Sequence, residues 1–188
     1  MRKYSNKYPI EDKREYLQSI GRLLPHRIGQ ILKELNFTKD DGYRIWMNPK
    51  QGNDVDLKVW HNNALILVGE ILNWCVKSWL SEKRKSWIIK NLSKYKCWRV
   101  LIYTTFSNEY LLEDLSLNGI SLLKIGYQLL PKYFYDFFVR KNQVENRKRD
   151  SRVSKQDIKS KIIEYLQSSS IEMHTSTFMN YEMIVTEL

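Results

Sequence analysis

The chain has 188 residues, of which 43% are hydrophobic, so it can bury one substantial core but is short for two full-sized domains. Its 31 Lys and Arg against 21 Asp and Glu give a net charge of +10, which favours a polyanionic partner such as nucleic acid or an anionic membrane surface. The N-terminus lacks the apolar segment of a signal peptide, and no run of about 18 apolar residues predicts a membrane span. We therefore expect a cytoplasmic protein without a membrane partner.

Sulfur and imidazole ligands are sparse and scattered. The two cysteines, Cys75 and Cys97, show no paired CxxC spacing, and the three histidines lie far apart in the sequence. A zinc site or a disulfide framework is therefore not predicted.

The first third of the chain predicts helix followed by strand. Apolar residues recur at helical spacing in residues 11–36, and Pro25 suits the first turn of a helix, so we predict two helices with a break near Leu24. Residues 43–47 (YRIWM) alternate as a strand and are followed by a polar loop.

Two β-rich runs follow, residues 54–60 (DVDLKVW) and 64–72 (ALILVGEIL), joined by His61-Asn62-Asn63. Asparagine tolerates positive φ, so this short link predicts an antiparallel hairpin. The second run is almost wholly apolar, which is typical of a central strand covered on both faces.

Residues 78–126 alternate between helix and strand. We predict an amphipathic helix in residues 78–95, a strand in 98–106, a helix in 108–119 ended by Asn118-Gly119, and a strand in 119–126. The last two strands, joined through a helix, should be parallel with a right-handed crossover. The predicted fold class is thus α/β, with a mixed sheet flanked by helices.

The C-terminal part has a different composition. Residues 127–139 are rich in aromatic side chains, which suggests packing on the core or on a second subunit. Residues 141–161 hold eight basic and three acidic residues, typical of a solvated linker or a nucleic-acid-binding arm, and 154–169 predict a short helix after a serine N-cap. We therefore divide the chain into an α/β core (1–140) and a basic, helical C-terminal extension (141–188).

Two carboxylates stand out in the predicted hairpin. Asp56 lies in the first run and Glu70 fourteen positions later in the second, so antiparallel pairing would bring them together on one face. Two close acidic groups repel each other unless a cation lies between them, and hard oxygen ligands suit Mg²⁺ or Mn²⁺. Asp54, on the same strand face as Asp56, is the alternative to it.

The segment DVDLKVWHNNALILVGEILNW resembles the PD-(D/E)XK, or restriction-endonuclease-like, nuclease superfamily, and most closely its archaeal Holliday-junction-resolvase and virus-encoded branches. The resemblance covers roughly residues 25–126. It implies a metal-dependent nuclease in which Asp56 and Glu70 bind the metal, the backbone carbonyl of Ile71 supplies a further ligand, and Asn73-Trp74 forms the tail of the motif.

The sequence departs from this family pattern in two places. Leu72 occupies the position of the motif lysine, and we consider Lys58, on the same strand face as Asp56, and Lys85, on the following helix, as replacement catalytic lysines. The leading helix also lacks the glutamate usual in resolvases. His26 and Gln30 lie nearest its place, and Glu34 lies too late in the helix.

Basic residues provide candidate nucleic-acid contacts. Those on the predicted second helix and in the C-terminal stretch are either solvated or phosphate-binding, namely Lys83, Arg84, Lys85, Arg147, Lys148 and Arg149. The six tryptophans lie inside periodic apolar segments, so we predict core packing rather than base stacking.

The resemblance thus implies a Mg²⁺- or Mn²⁺-dependent DNA endonuclease acting on branched or structured DNA, and a homodimer would fit junction cutting. The first alternative is a protein of the same fold with a degraded site that only binds nucleic acid. The second is a basic DNA-binding regulator that uses the C-terminal helix.

Overall fold

The computed structural model describes residues 12–48, 54–75, 77–129 and 154–168, and side chains from residue 20 onward. The helices are α1 (Asp12–Glu34), α2 (Glu82–Leu92), a 3₁₀ helix (Glu109–Leu112), α3 (Glu113–Leu117) and α4 (Lys155–Ser168). The strands are β1 (Tyr43–Met47), β2 (Leu57–His61), β3 (Ala64–Leu72), β4 (Trp98–Thr104) and β5 (Ser121–Gly126). No helix within these ranges combines the length and apolar character that a membrane span requires.

The five strands form one mixed sheet in the order β1-β2-β3-β4-β5. The pairs β1–β2 and β2–β3 are antiparallel, whereas β3–β4 and β4–β5 are parallel. Each parallel connection contains a helix, as the spacing of the apolar runs predicted. The predicted α/β class and the central position of β3 are confirmed.

Apolar side chains cover the sheet on both faces. One core joins the sheet to α1 and α4, and the other joins it to α2 and α3. Within β3, Leu67 and Ile71 belong to the first core, and Val68 and Leu72 to the second, because successive strand residues point to opposite faces. This two-sided burial explains the nearly continuous apolar sequence of β3.

The predicted hairpin is present, with Asn62 and Asn63 at φ values of 47° and 66°. A β-bulge between Val59 and Trp60 shifts the register near the turn. Beyond the bulge, Leu57 pairs with Gly69. The first strand of the hairpin, β2, begins at Leu57 and ends at His61, whereas residues 54–60 were predicted, so both predicted bounds were too early.

The predicted break near Leu24 was wrong, since α1 runs without interruption through Pro25. The hydrogen bond that a proline cannot donate would have gone to the carbonyl of Gly21, four residues earlier. Both residues line a cleft, described below, where water can replace that bond. Leu24, Ile28 and Ile31 are fully buried, and their packing on the sheet stabilises the helix on both sides of Pro25.

The segment predicted as a helix in residues 108–119 divides into the 3₁₀ helix and the short α3. The amide of Asn118 donates to the carbonyls of Asp114 and Leu115, and Gly119 adopts a φ of 69°. The prediction of a left-handed glycine at this helix end is confirmed.

Helix α4 confirms the predicted C-terminal helix. Ser154 and Asp157 cap its first turn reciprocally through backbone amides, and Ile158, Ile162 and Leu166 belong to the same core as α1. The sequence pattern assigned this helix to an extension, yet it packs as part of the fold. The aromatic run 127–139, beyond residue 129, and the basic stretch before residue 154 lie outside the described residues.

Replacing Ile162 with alanine tests whether α4 belongs to the cooperative core. Ile162 is almost fully buried, so we expect the variant to lose about 2–5 kcal/mol of unfolding free energy in urea denaturation. Exposed Lys161, its neighbour, provides the matched control, and Lys161→Ala should change stability by less than about 0.5 kcal/mol. Equal effects of the two substitutions would contradict the packing of α4.

Candidate functional site

The β2–β3 register brings the two predicted carboxylates together. Leu57 pairs with Gly69 in an antiparallel ladder. Asp56, which precedes Leu57, therefore faces Glu70, which follows Gly69, on the α2 side of the sheet. Both residues line a cleft of about 520 Å³. The predicted juxtaposition of Asp56 and Glu70 is therefore present.

Glu70 is buried, with only 1% of its surface exposed. Its Oε2 lies 3.3 Å from Nη2 of Arg84, whereas its Oε1 has no hydrogen-bond partner among the described residues. Burial and the neighbouring carboxylate of Asp56 raise the pKa of Glu70 to about 9, against the opposing charge of Arg84. Without a cation, this carboxyl group is protonated at neutral pH.

Asp56 is anchored by the backbone of the facing strand. Its Oδ2 accepts a hydrogen bond of 2.9 Å from the amide of Ile71. Burial raises the pKa of Asp56, although the Ile71 amide and the charge of Arg84 act in the opposite direction. Because the N–H and C=O of one strand residue point to the same side, the carbonyl of Ile71 also points to the β2 side of β3.

These groups form a donor set that fits Mg²⁺ or Mn²⁺. Asp56, Glu70 and the Ile71 carbonyl all supply hard oxygen atoms, and Mg²⁺ commonly binds through one or two carboxylates together with water and substrate phosphate. The buried, unpartnered Oε1 of Glu70 is the kind of atom that a cation satisfies. Within the described ranges no group of three or more His, Cys, Asp or Glu is positioned to hold a metal, so backbone oxygen and water would complete the coordination.

Arg84, which the sequence analysis named as a candidate phosphate contact, lies beside Glu70, a position that the sequence did not predict. Ser81 caps α2 by accepting from the Arg84 amide, which places Arg84 in the first turn of the helix. Its guanidinium carbon lies 4.1 Å from the centre of the Trp87 ring. The three-residue spacing of Arg84 and Trp87 on one helix face was the available signal.

The two candidate lysines lie elsewhere, and neither lines the cleft. Nζ of Lys58 lies 2.7 Å from Oδ2 of Asp54, and Tyr95 donates to the other oxygen of Asp54. Lys85 forms ion pairs with Glu82 and Asp114. Asp54 lines the cleft, but its carboxylate is already bound by these partners.

At the positions where the sequence departs from the pattern of the family that it resembles, the structure shows how the residues are used. Leu72 packs in the core beneath α2, so the position of the motif lysine is used for burial. The leading helix contributes Gly21, Arg22 and Pro25 to the cleft, whereas His26 and Gln30 contact each other at the surface. The sequence reasoning did not identify Arg22 as a cleft residue. Glu34 forms an ion pair with Lys155, on α4.

Asn73 joins three segments at the wall of the cleft. Its amide nitrogen donates to the carbonyls of Ile20 and Leu129, and its side-chain oxygen accepts from the Leu129 amide. The end of β3 is thereby tied to α1 and to the segment after β5. Because Asn73 follows Glu70 closely, this clamp fixes the strand end that carries the carboxylate.

The remaining candidates are the basic residues and the tryptophans. Lys83 is exposed on α2, whereas residues 147–149 lie outside the described ranges. Five tryptophans are partly buried, but Trp79 is 64% exposed, so the prediction of core packing is wrong for this residue. It lies in the segment before α2, where Leu80 rather than Trp79 enters the core.

Comparison with models of known protein families finds no match for this chain, and comparison with curated proteins finds none either. The chemistry of the cleft is therefore the basis for a functional proposal.

Replacing Glu70 with glutamine should stabilise the metal-free protein at neutral pH. Between the ordinary pKa of 4.5 and the folded value of about 9, the unfolded chain loses a proton that the folded protein keeps, so stability falls as pH rises. At about 1.4 kcal/mol per pH unit, the deficit reaches about 3 kcal/mol by pH 7. Urea denaturation in chelator should show this slope in the wild type and a smaller one in Glu70→Gln.

Glu164→Gln, on the exposed side of α4, is the matched control and should leave the slope unchanged. A wild-type slope that persists in Glu70→Gln would show that another group is responsible for it.

Proposed function

We propose that this protein is a metal-dependent DNA endonuclease with a core of the PD-(D/E)XK type. In this proposal Asp56, Glu70 and the Ile71 carbonyl hold Mg²⁺ or Mn²⁺. The mixed sheet, the flanking helices and the position of both carboxylates on adjacent strands support the assignment.

The observation that carries the proposal is the state of Glu70. A carboxyl group that is 1% exposed, faces a second carboxylate and has an oxygen without a described partner is costly to the fold. A bound ligand that offsets this cost explains why the protein keeps such a group, and the adjacent cleft gives that ligand access.

A bound divalent cation would supply positive charge at the phosphate and make water a better nucleophile. In hydrolysis, the oxygen of water bonds to phosphorus, the bond to one bridging oxygen breaks, and the products are a phosphate monoester and a hydroxyl group. The guanidinium of Arg84 is 36% exposed and can donate to a phosphate oxygen as negative charge develops there. It would thus take the electrostatic role that Leu72 cannot perform.

The distribution of positive charge supports a nucleic-acid substrate. The net charge of +10 favours binding to phosphates, and Arg22 and Arg84 place two guanidinium groups at the cleft. Cleavage of branched DNA by a homodimer, and action inside the cell, remain part of the proposal on the strength of the family resemblance.

A second function is favoured by one feature of the same site. With the pKa of Glu70 at about 9 and Arg84 beside it, a proton and a guanidinium already compensate the two carboxyl groups. A protein that binds nucleic acid without cutting it would be compatible with that state. Binding in chelator with no cleavage at any Mg²⁺ or Mn²⁺ concentration would favour this alternative.

Cleavage of labelled linear, single-stranded and four-way-junction DNA tests the nuclease. We expect Mn²⁺- or Mg²⁺-dependent cutting by the wild type, and a loss of roughly a hundredfold or more in Asp56→Asn and Glu70→Gln, because each removes a metal-binding oxygen.

Asp54→Asn is the matched control, since Asp54 lines the same cleft but its carboxylate is bound by Lys58 and Tyr95. It should retain metal-dependent cutting. A greater loss of cleavage in Asp54→Asn than in Asp56→Asn would indicate that Asp54, and not Asp56, binds the metal. Equal activity of the wild type and all three variants would refute the proposed site.

Substitution of Arg84 tests the replacement of the motif lysine. We expect Arg84→Ala to lower the cleavage rate at saturating DNA by about 100-fold, as removal of a donor to developing charge commonly does. Arg84→Lys should recover only part of this rate, because lysine lacks the planar group that stacks on Trp87. Lys83→Ala, one residue away and exposed, should mainly weaken binding. A full rate in Arg84→Ala would exclude this role.

A further inference from the structure

Large hydrophobic side chains are exposed at four positions of the described residues, and three of them share one edge of the sheet. Trp79, Tyr110 and Tyr127 are 64%, 70% and 38% exposed, and they lie after the carboxyl ends of β3, β4 and β5 respectively. These three strands are parallel, so their carboxyl ends meet at the same edge. The fourth residue, Leu117, lies at the end of α3, on the way back to the opposite edge.

Hydrogen bonds hold the segments that carry these rings side by side. The carbonyl of Ser78 accepts from the Ser107 amide, and the side chain of Asn108 bonds to both the amide and the carbonyl of Leu80. Trp79 lies between these two anchors, with its neighbour Leu80 buried and its own ring exposed. The backbone therefore presents the ring of Trp79 to solvent from a fixed position.

An ion pair links the segments that carry the other two rings, those of Tyr110 and Tyr127. Glu109, which precedes Tyr110, forms a 2.8 Å ion pair with Lys124 on β5, three residues before Tyr127. We call Trp79, Tyr110 and Tyr127 the aromatic edge.

The aromatic edge lies close in sequence to the cleft that holds the carboxylates. Trp74, which lines the cleft, donates its backbone amide to Thr104 at the end of β4, and its ring meets that of Phe106 edge-on. Only a few residues separate Trp74 from Trp79. Glu70 lies two residues before the carboxyl end of β3, so the cleft and the aromatic edge share this end of the sheet.

The surroundings of the rings favour nucleic acid over a protein partner. Polar and charged residues such as Ser78, Ser107 and Lys124 separate the rings, so the edge is not the continuous apolar patch of a protein interface. Of the acidic residues nearby, Glu82, Glu109 and Asp114 are each paired with a lysine, whereas exposed Glu113 forms no ion pair with the described residues. Exposed Lys77 and Lys83 remain to meet phosphates.

We propose that the aromatic edge is a stacking surface for the unpaired bases of single-stranded DNA, with Trp79 and Tyr110 as its main platforms. Aromatic rings bind bases of any sequence because every base has a π face, and adjacent lysines follow the backbone. This proposal rests on the proposed function and specifies its substrate: DNA with a single-stranded segment next to the cut site.

Binding of a fluorescein-labelled, single-stranded oligothymidylate, followed by anisotropy in chelator, tests the stacking surface independently of cleavage. We expect Trp79→Ala to weaken this binding about tenfold and Trp79→Ala with Tyr110→Ala to weaken it further, since loss of one stacked base commonly has such an effect. Trp79→Phe should retain most of the affinity, because it keeps a ring. Binding to a blunt duplex should change by less than about twofold.

Leu117→Ala is the matched control, because Leu117 is 80% exposed but lies away from the edge. Unchanged single-strand affinity in Trp79→Ala, or an equal loss on duplex DNA, would overturn the proposal. So would a change in oligomeric mass without a change in DNA affinity, which would identify a protein interface. If Trp79→Ala lost single-strand affinity in chelator but kept duplex affinity, and the wild type showed no cleavage, the stacking surface would be supported and the nuclease refuted. The two proposals can therefore fail separately.

Discussion

Leu57 pairs with Gly69 across the β2–β3 ladder, and this alignment places Asp56 opposite Glu70. A slip of one residue would turn one of the two carboxylates to the opposite face of the sheet, because strand side chains alternate. Two-sided burial of β3 and the asparagine turn at residues 62–63 together prevent that slip. Gly69 contributes as well, since a Cβ atom there would lie 3.0 Å from a methyl group of Val100 on β4.

The cost of burying two carboxyl groups explains the composition of their surroundings. The Ile71 amide binds Asp56, and Arg84 approaches Glu70 from α2, yet the pKa of Glu70 remains raised to about 9. The pair can thus be compensated by a proton or by a cation. A fold that needed only stability would gain from replacing such a pair with apolar side chains.

The positive charge at this pair comes from a helix rather than from the strand. Leu72, at the strand position, serves the core beneath α2, while Arg84 reaches the same carboxylate from the first turn of α2 and stacks on Trp87. Asn73 then ties the strand end to α1 and to the segment after β5, so the cleft is held by three separate parts of the chain. The site consequently depends on packing on both faces of the sheet.

The class of the fold, the order of helices and strands along the chain, the hairpin and the juxtaposition of Asp56 and Glu70 could be predicted from the sequence, because these follow from local alternation and turn chemistry. The sequence did not reveal that α1 continues through Pro25, that α4 joins the core, or that Arg84 rather than Lys58 or Lys85 reaches Glu70. Nor did it distinguish exposed Trp79 from the partly buried tryptophans. These points became visible in the folded chain alone, since each depends on contacts between segments distant in sequence, where periodicity carries no information about which groups meet.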